Sequence, residues 1–130
     1  MFDWKKPTVQ MLGRWQPWHE GHQALFKRCF AKTGQVIILV RDVQGTSGGR
    51  GQDDNPFDLA EVCKNIEAGL AKDGFHRGEE YEIMLVPNIV NITYGRGVGY
   101  TLEEEVFDKS TSGISATKIR EELRKKGELD

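Results

Sequence analysis

A chain of 130 residues is long enough for one hydrophobic core and too short for two. Apolar residues at 38% and charged residues at 29% suit a globular protein rather than a disordered one. A formal charge of −2 argues against a general nucleic-acid binder, which is normally clearly basic, yet it leaves room for a local cationic pocket around a small phosphorylated ligand.

The first residues, MFDWKKPTVQML, carry neither the apolar core nor the small-residue cleavage site of a signal peptide. No apolar run approaches the ~18 residues of a membrane span. No membrane partner is therefore expected, and the cytoplasm is the expected location. Thr8 to Leu12 reads as a short buried strand ending at Gly13. From about Glu20 to Lys32, Ala24, Leu25 and Cys29 recur at helical spacing, with Phe26 and Phe30 as an i, i+4 pair. Gly34 closes that helix. Gln35 to Val40, QVIILV, is a continuous β-branched and aliphatic run, the pattern of a strand buried on both faces of a parallel sheet.

Arg41 to Asn55 is polar, holds four glycines and has no apolar period, so a long functional loop is expected there. Asn55 is placed to cap a helix with Pro56 in its first turn, running to about Lys72 and turning Leu59, Val62, Cys63, Ile66 and Leu70 inward. Tyr81 to Val86 forms the third strand, stopped by Pro87-Asn88. Asn88 to Tyr100 mixes β-branched residues with glycines and suits a loop at the sheet's carboxyl edge. Thr101 to Asp108 fits a fourth strand or a turn of helix equally well. Ser115 to Lys126 is a helix with Ile119 and Leu123 as its apolar pair. Strand and helix alternate, which predicts an α/β domain built on a parallel sheet. Cys29 and Cys63 fall in apolar-periodic segments without a CxxC partner and are expected to be buried reduced thiols.

The segment GRWQPWHEGH, Gly13 to His22, occupies the position where open parallel sheets bind ligands: beyond the carboxyl end of a strand, leading into a helix N-terminus. A helix start offers unpaired N–H groups and partial positive charge, both suited to phosphate. His19 and His22 are three residues apart and share one helical face. Arg14 adds charge, and Gly21 leaves space for a ligand against the backbone. The zinc-protease pattern needs histidines four apart, and His76 stands in a polar loop, so no metal site is expected from the protein. The dinucleotide fingerprint and the Walker A loop are both absent.

GRWQPWHEGH resembles the H-x-G-H signature of the nucleotidyltransferase superfamily, which includes cytidylyltransferases and nicotinamide mononucleotide and phosphopantetheine adenylyltransferases. GISATKIR, Gly113 to Arg120, looks like the second signature of that superfamily, I-S-x-T-x-x-R. NPFD, Asn55 to Asp58, is similar to the helix-opening loop of archaeal-type nicotinamide mononucleotide adenylyltransferases. The resemblance covers residues 8 to 126 and implies a Rossmann-like fold of the HxGH type. It also implies a reaction in which an acceptor oxygen attacks the α-phosphorus of a nucleoside triphosphate and pyrophosphate leaves.

Carried over residue by residue, the resemblance gives His19 and His22 as donors to the triphosphate and to the transition-state oxygens. Arg14 and Arg120 neutralise the outer phosphates, and Ser115 and Thr117 place hydroxyls and N–H groups at the start of the last helix. Backbone at Gly13, Arg14, Trp15 and Gln16, with Gly113 and Ile114, flanks base and ribose. Magnesium is expected on the nucleotide's phosphate oxygens. Asn88, Asn91, Tyr94 and Arg96 are the candidates for the acceptor side, with Arg41 and Arg50 near the phosphates. The short chain and the TSGISAT context favour CMP transfer from CTP. GRWQP and NPF favour the alternative, ATP with nicotinamide mononucleotide or another small phosphate. Where glycerol-phosphate cytidylyltransferases read R-T-E-G-I-S, this chain reads STSGIS. A binding domain without turnover would have lost a motif histidine or Arg120, and all three are present. Trp4 and the last helix offer surface for a homo-oligomer.

Overall fold

The computed structural model describes residues 1–43, 56–97, 99, 101–105 and 116–127, with backbone alone for 116–118. Arg50, Asn55, Gly113, Ile114 and Ser115 lie outside the described residues, as does the side chain of Thr117. Three strands and three helices follow in chain order: β1 (Val9–Gly13), α1 (Glu20–Thr33), β2 (Val36–Arg41), α2 (Leu59–Ala71), β3 (Tyr81–Val86) and α3 (Ala116–Lys125).

The run Val36 to Val40 forms the central strand because its side chains find apolar neighbours on either side. The sheet order is β1-β2-β3, all parallel, with Val9 opposite Val36 and Val36 opposite Tyr81. Parallel neighbours need a crossover, which α1 and α2 supply. The result is the Rossmann-like α/β arrangement expected from the alternating pattern.

Phe26 is fully buried at the centre of the core, with its ring 5.0 Å from that of Phe75 and 5.8 Å from that of Tyr81. Complete burial of one such ring contributes about 1.5–3 kcal/mol. Val36, Ile38 and Val40 of β2 meet Val62, Ile66 and Leu70 of α2 in the same cluster, and Leu123 of α3 packs against it. Cys29 is buried and Cys63 half-buried, both as free thiols whose pKa burial pushes up. At the other end of the strands, the buried Gln35 ties the N-terminal segment to the sheet: it accepts from Asp3 N–H and donates to Asp3 O and Thr8 Oγ1, all within 2.8 Å.

Helix α1 ends as expected: Gly34 takes a left-handed φ of 78° and its N–H returns to Phe30 O. The start of α2 differs from expectation. Its N-cap is Asp58 rather than Asn55, and Pro56 precedes the helix instead of opening it. Asp58 Oδ1 accepts from Glu61 N–H at 2.9 Å while Glu61 Oε1 accepts from Asp58 N–H, a reciprocal pair that satisfies two helix-start donors. Residues 101–105 form neither strand nor helix. They are pinned to α1 by Lys32, 2.7 Å from Glu103 and 2.6 Å from Glu105, and by Arg28, 3.3 Å from Glu105.

Candidate active site

The turn after β1 is shaped by tryptophan packing. The Trp15 indole lies against Gly13 so closely that a Cβ there would stand 2.9 Å from the ring. Glycine is thus required for a close approach. Trp15 itself has a left-handed φ of 54°, a backbone state costing a non-glycine residue about 1–2 kcal/mol. Burial of its ring and the bond from Nε1–H to Leu39 O at 3.1 Å offset that cost. Trp18 packs next to it, with ring centroids 5.2 Å apart.

His19 is the N-cap of α1. Its Nδ1 accepts from Gly21 N–H at 3.0 Å, and His22 Nδ1 accepts from His19 N–H at 3.3 Å. This is a capping box made of two imidazoles. The rings stack with centroids 3.7 Å apart, and the indoles of Trp15 and Trp18 flank His22 at 4.8 and 5.4 Å. Because both Nδ1 atoms accept, the neutral rings carry their protons on Nε2. Burial lowers the pKa of both groups. His22 is brought to about 3 by burial first and by His19 second, while Glu20 partly opposes the effect at His19. At neutral pH the pair therefore presents two uncharged N–H donors at a helix N-terminus.

The last helix comes to the same turn. Arg120 is only 6% exposed, and its Nη1 donates to Gln16 O at 2.6 Å across 104 residues of sequence. The Gln16 side chain clasps the backbone of Phe57, accepting from its N–H at 2.8 Å and donating to its carbonyl at 3.1 Å. One residue of the first motif thus joins the entry to α2 and the second motif. Trp15 and Gln16 spend their side chains on packing and leave backbone toward a ligand.

Gly21 sits half-buried in the first turn of α1, and Arg14 is exposed at the rim. A cavity of about 330 Å³ opens beside His19, between Trp18, Gln23, Phe57, Gly69 and Leu123. A second, of about 300 Å³, lies at the carboxyl end of the sheet between Leu12, Arg41 and residues 89–92. Of the expected acceptor residues, Asn91 lines this second cavity and Asn88 Oδ1 accepts from Arg41 Nη2 at 3.1 Å. Tyr94 and Arg96 are exposed. Among the described residues no three His, Cys, Asp or Glu side chains cluster to hold a metal, and no helix is long and apolar enough to cross a membrane.

Sequence reasoning missed Gln23. This buried residue accepts from Trp18 Nε1 and donates to Gly69 O and Asp73 Oδ2, each at 2.7 Å, locking the turn to α2. The available signal was a polar residue three positions before Phe26, on the buried stripe of α1.

No protein-family model matches the chain. Over 65 residues it is 32% identical to a nicotinamide-nucleotide adenylyltransferase of Methanococcus aeolicus, a match covering 50% of this chain and 36% of the relative. The chain thus spans about a third of the length of that relative. The resemblance to the HxGH nucleotidyltransferases, carried by GRWQPWHEGH and GISATKIR, is thereby joined by similarity to a protein named for that chemistry.

Proposed function

We propose that this protein transfers the AMP moiety of ATP to a small phosphate-bearing acceptor of the nicotinamide mononucleotide type, releasing pyrophosphate. The observation that carries the reading is the Arg120 Nη1–Gln16 O bond at 2.6 Å, which seats the second motif on the turn holding the stacked histidines. Adenylyl transfer leads over CMP transfer because the relative is named as an adenylyltransferase; nothing outside the sequence context favours CTP.

In the proposed reaction an acceptor phosphate oxygen forms a bond to the α-phosphorus while the bond from that phosphorus to the α–β bridging oxygen breaks. The pyrophosphate takes the electron pair. Such chemistry asks the protein for position and charge stabilisation rather than for a nucleophile. His19 and His22 would offer Nε2–H groups to the phosphate oxygens, and the α1 N-terminus would add partial positive charge. A bound polyanion favours the protonated imidazole, so donors that are neutral at rest would strengthen where charge develops.

Arg120 and Arg14 would balance the outer phosphates, Arg120 with a planar fork that lysine lacks. Ser115, Thr117, Gly113 and Ile114 would complete the cradle from the start of α3. With no described cluster of three ligating side chains, magnesium is proposed to arrive on the nucleotide, supplying charge neutralisation between phosphate oxygens.

Mass spectrometry of products from ATP or CTP with nicotinamide mononucleotide and magnesium tests the reading. Formation of the adenine dinucleotide, at least ~10-fold faster than any cytosine product, is the expected result. A faster cytosine product would reverse the base assignment, and silence with both nucleotides would overturn the proposal.

A further inference from the structure

The cavity at the carboxyl end of the sheet contains a donor that nothing satisfies. Arg41 Nε is buried and has no hydrogen-bond partner, while Nη2 of the same guanidinium is held by Asn88 Oδ1 at 3.1 Å. Buried donors are almost always paired, and a cation costs more to strand than a neutral amide. Arg41 makes no ion pair among the described residues, and no acidic side chain lines the cavity. The remaining walls are Leu12, Ile89, Val90, Ile92 and the amide of Asn91. At about 300 Å³ the space suits a substituted ring rather than a whole nucleotide. Its location follows from the register: Gly13 pairs with Val40, so Arg41 continues β2 beside the residue that leads into the histidine turn.

Resting on the adenylyltransferase reading, we propose that this cavity is the specificity pocket for the far end of the acceptor, and that Arg41 selects an acceptor bearing a carboxylate there over its carboxamide analogue. A carboxylate can accept from Nε–H and balance the guanidinium charge, and its planar geometry matches the guanidinium edge. A carboxamide supplies an acceptor oxygen but leaves the charge uncompensated. The apolar walls then hold the ring that carries the group.

The test is a matched pair of ligands differing only at that group, nicotinate mononucleotide and nicotinamide mononucleotide, titrated calorimetrically into the full chain without nucleotide. The wild type is expected to bind the acid at least ~10-fold more tightly than the amide. In Arg41→Met the preference falls to within ~3-fold, and Arg41→Lys, which keeps charge but loses the fork, lies between. Equal affinities in the wild type, no binding of either ligand, or a preference unchanged in Arg41→Met would each overturn the inference. Circular dichroism and thermal melts establish that each variant folds; if Arg41→Met does not, Arg41→Gln replaces it. Pyrophosphate release from ATP is read separately, so loss of the acid preference with turnover intact rejects this pocket and spares the proposed activity.

Discussion

At the scale of single residues, the histidine pair controls both the local fold and its response to acid. His22 holds its proton only near pH 3 in the folded protein, whereas an unfolded imidazole binds it near 6.5. Between those values the unfolded chain carries more protons, so stability rises with pH and falls as the solution is acidified below about 6.5. His19 is shifted in the same direction and adds to the effect. Each group contributes a slope of up to about 1.4 kcal/mol per pH unit. Chemical denaturation between pH 7 and 5 should show this loss in the wild type. His22→Gln keeps an acceptor for His19 N–H but does not titrate, and it should give a visibly flatter profile. Parallel profiles for the two proteins would contradict the buried, neutral state of His22.

At the scale of elements, buried amides rather than apolar contacts alone hold the turn in place. Gln23 satisfies Trp18 Nε1 and Gly69 O, and Gln16 satisfies both backbone groups of Phe57. Gln23→Leu fits the surrounding stripe by size but strands the indole donor and the Gly69 carbonyl. At about 1–3 kcal/mol for each stranded group, equilibrium denaturation should register a loss of about 2–4 kcal/mol. Gln10→Leu, at an exposed position of β1, should stay within about 0.5 kcal/mol of wild type. A loss no larger at Gln23 than at Gln10 would remove the structural role assigned to the clasp.

The same elements explain what could be read in advance. β2 was legible because five consecutive apolar residues fit only a doubly covered strand, and the end of α1 because Gly34 supplies the left-handed residue its cap needs. The start of α2 was misread because Asn55-Pro56 is a good local start signal. The competing fact, Gln16 holding the Phe57 backbone from 41 residues away, leaves no local trace. The histidines were visible in their spacing. Their tautomer and lowered pKa were not, since both depend on neighbouring indoles and on each other. Arg120 was singled out only through the resemblance of GISATKIR to a known motif. The unsatisfied Nε of Arg41 had no signature in the sequence at all.

At the scale of the whole molecule, the parallel sheet places β1 and its turn where α1 begins and where the last helix returns. The path after β3 matters as much. From the cavity at residues 89–92 the chain continues to Glu103 and Glu105, which pair with Lys32 and Arg28 on α1. Residues 101–105 are thus anchored to the first helix as the chain approaches the second motif. The account's central claim is that the imidazole pair and Arg120 act together on one triphosphate. A double-mutant cycle on kcat/KM for adenylyl transfer, using His22→Ala, Arg120→Ala and the double variant, tests it most directly. The account predicts that each single change lowers kcat/KM by ~10²-fold or more. It further predicts that the pair falls short of additivity by about 1–3 kcal/mol, as groups sharing one transition state do. Strict additivity within about 0.5 kcal/mol, or wild-type rates in either single variant, would contradict it.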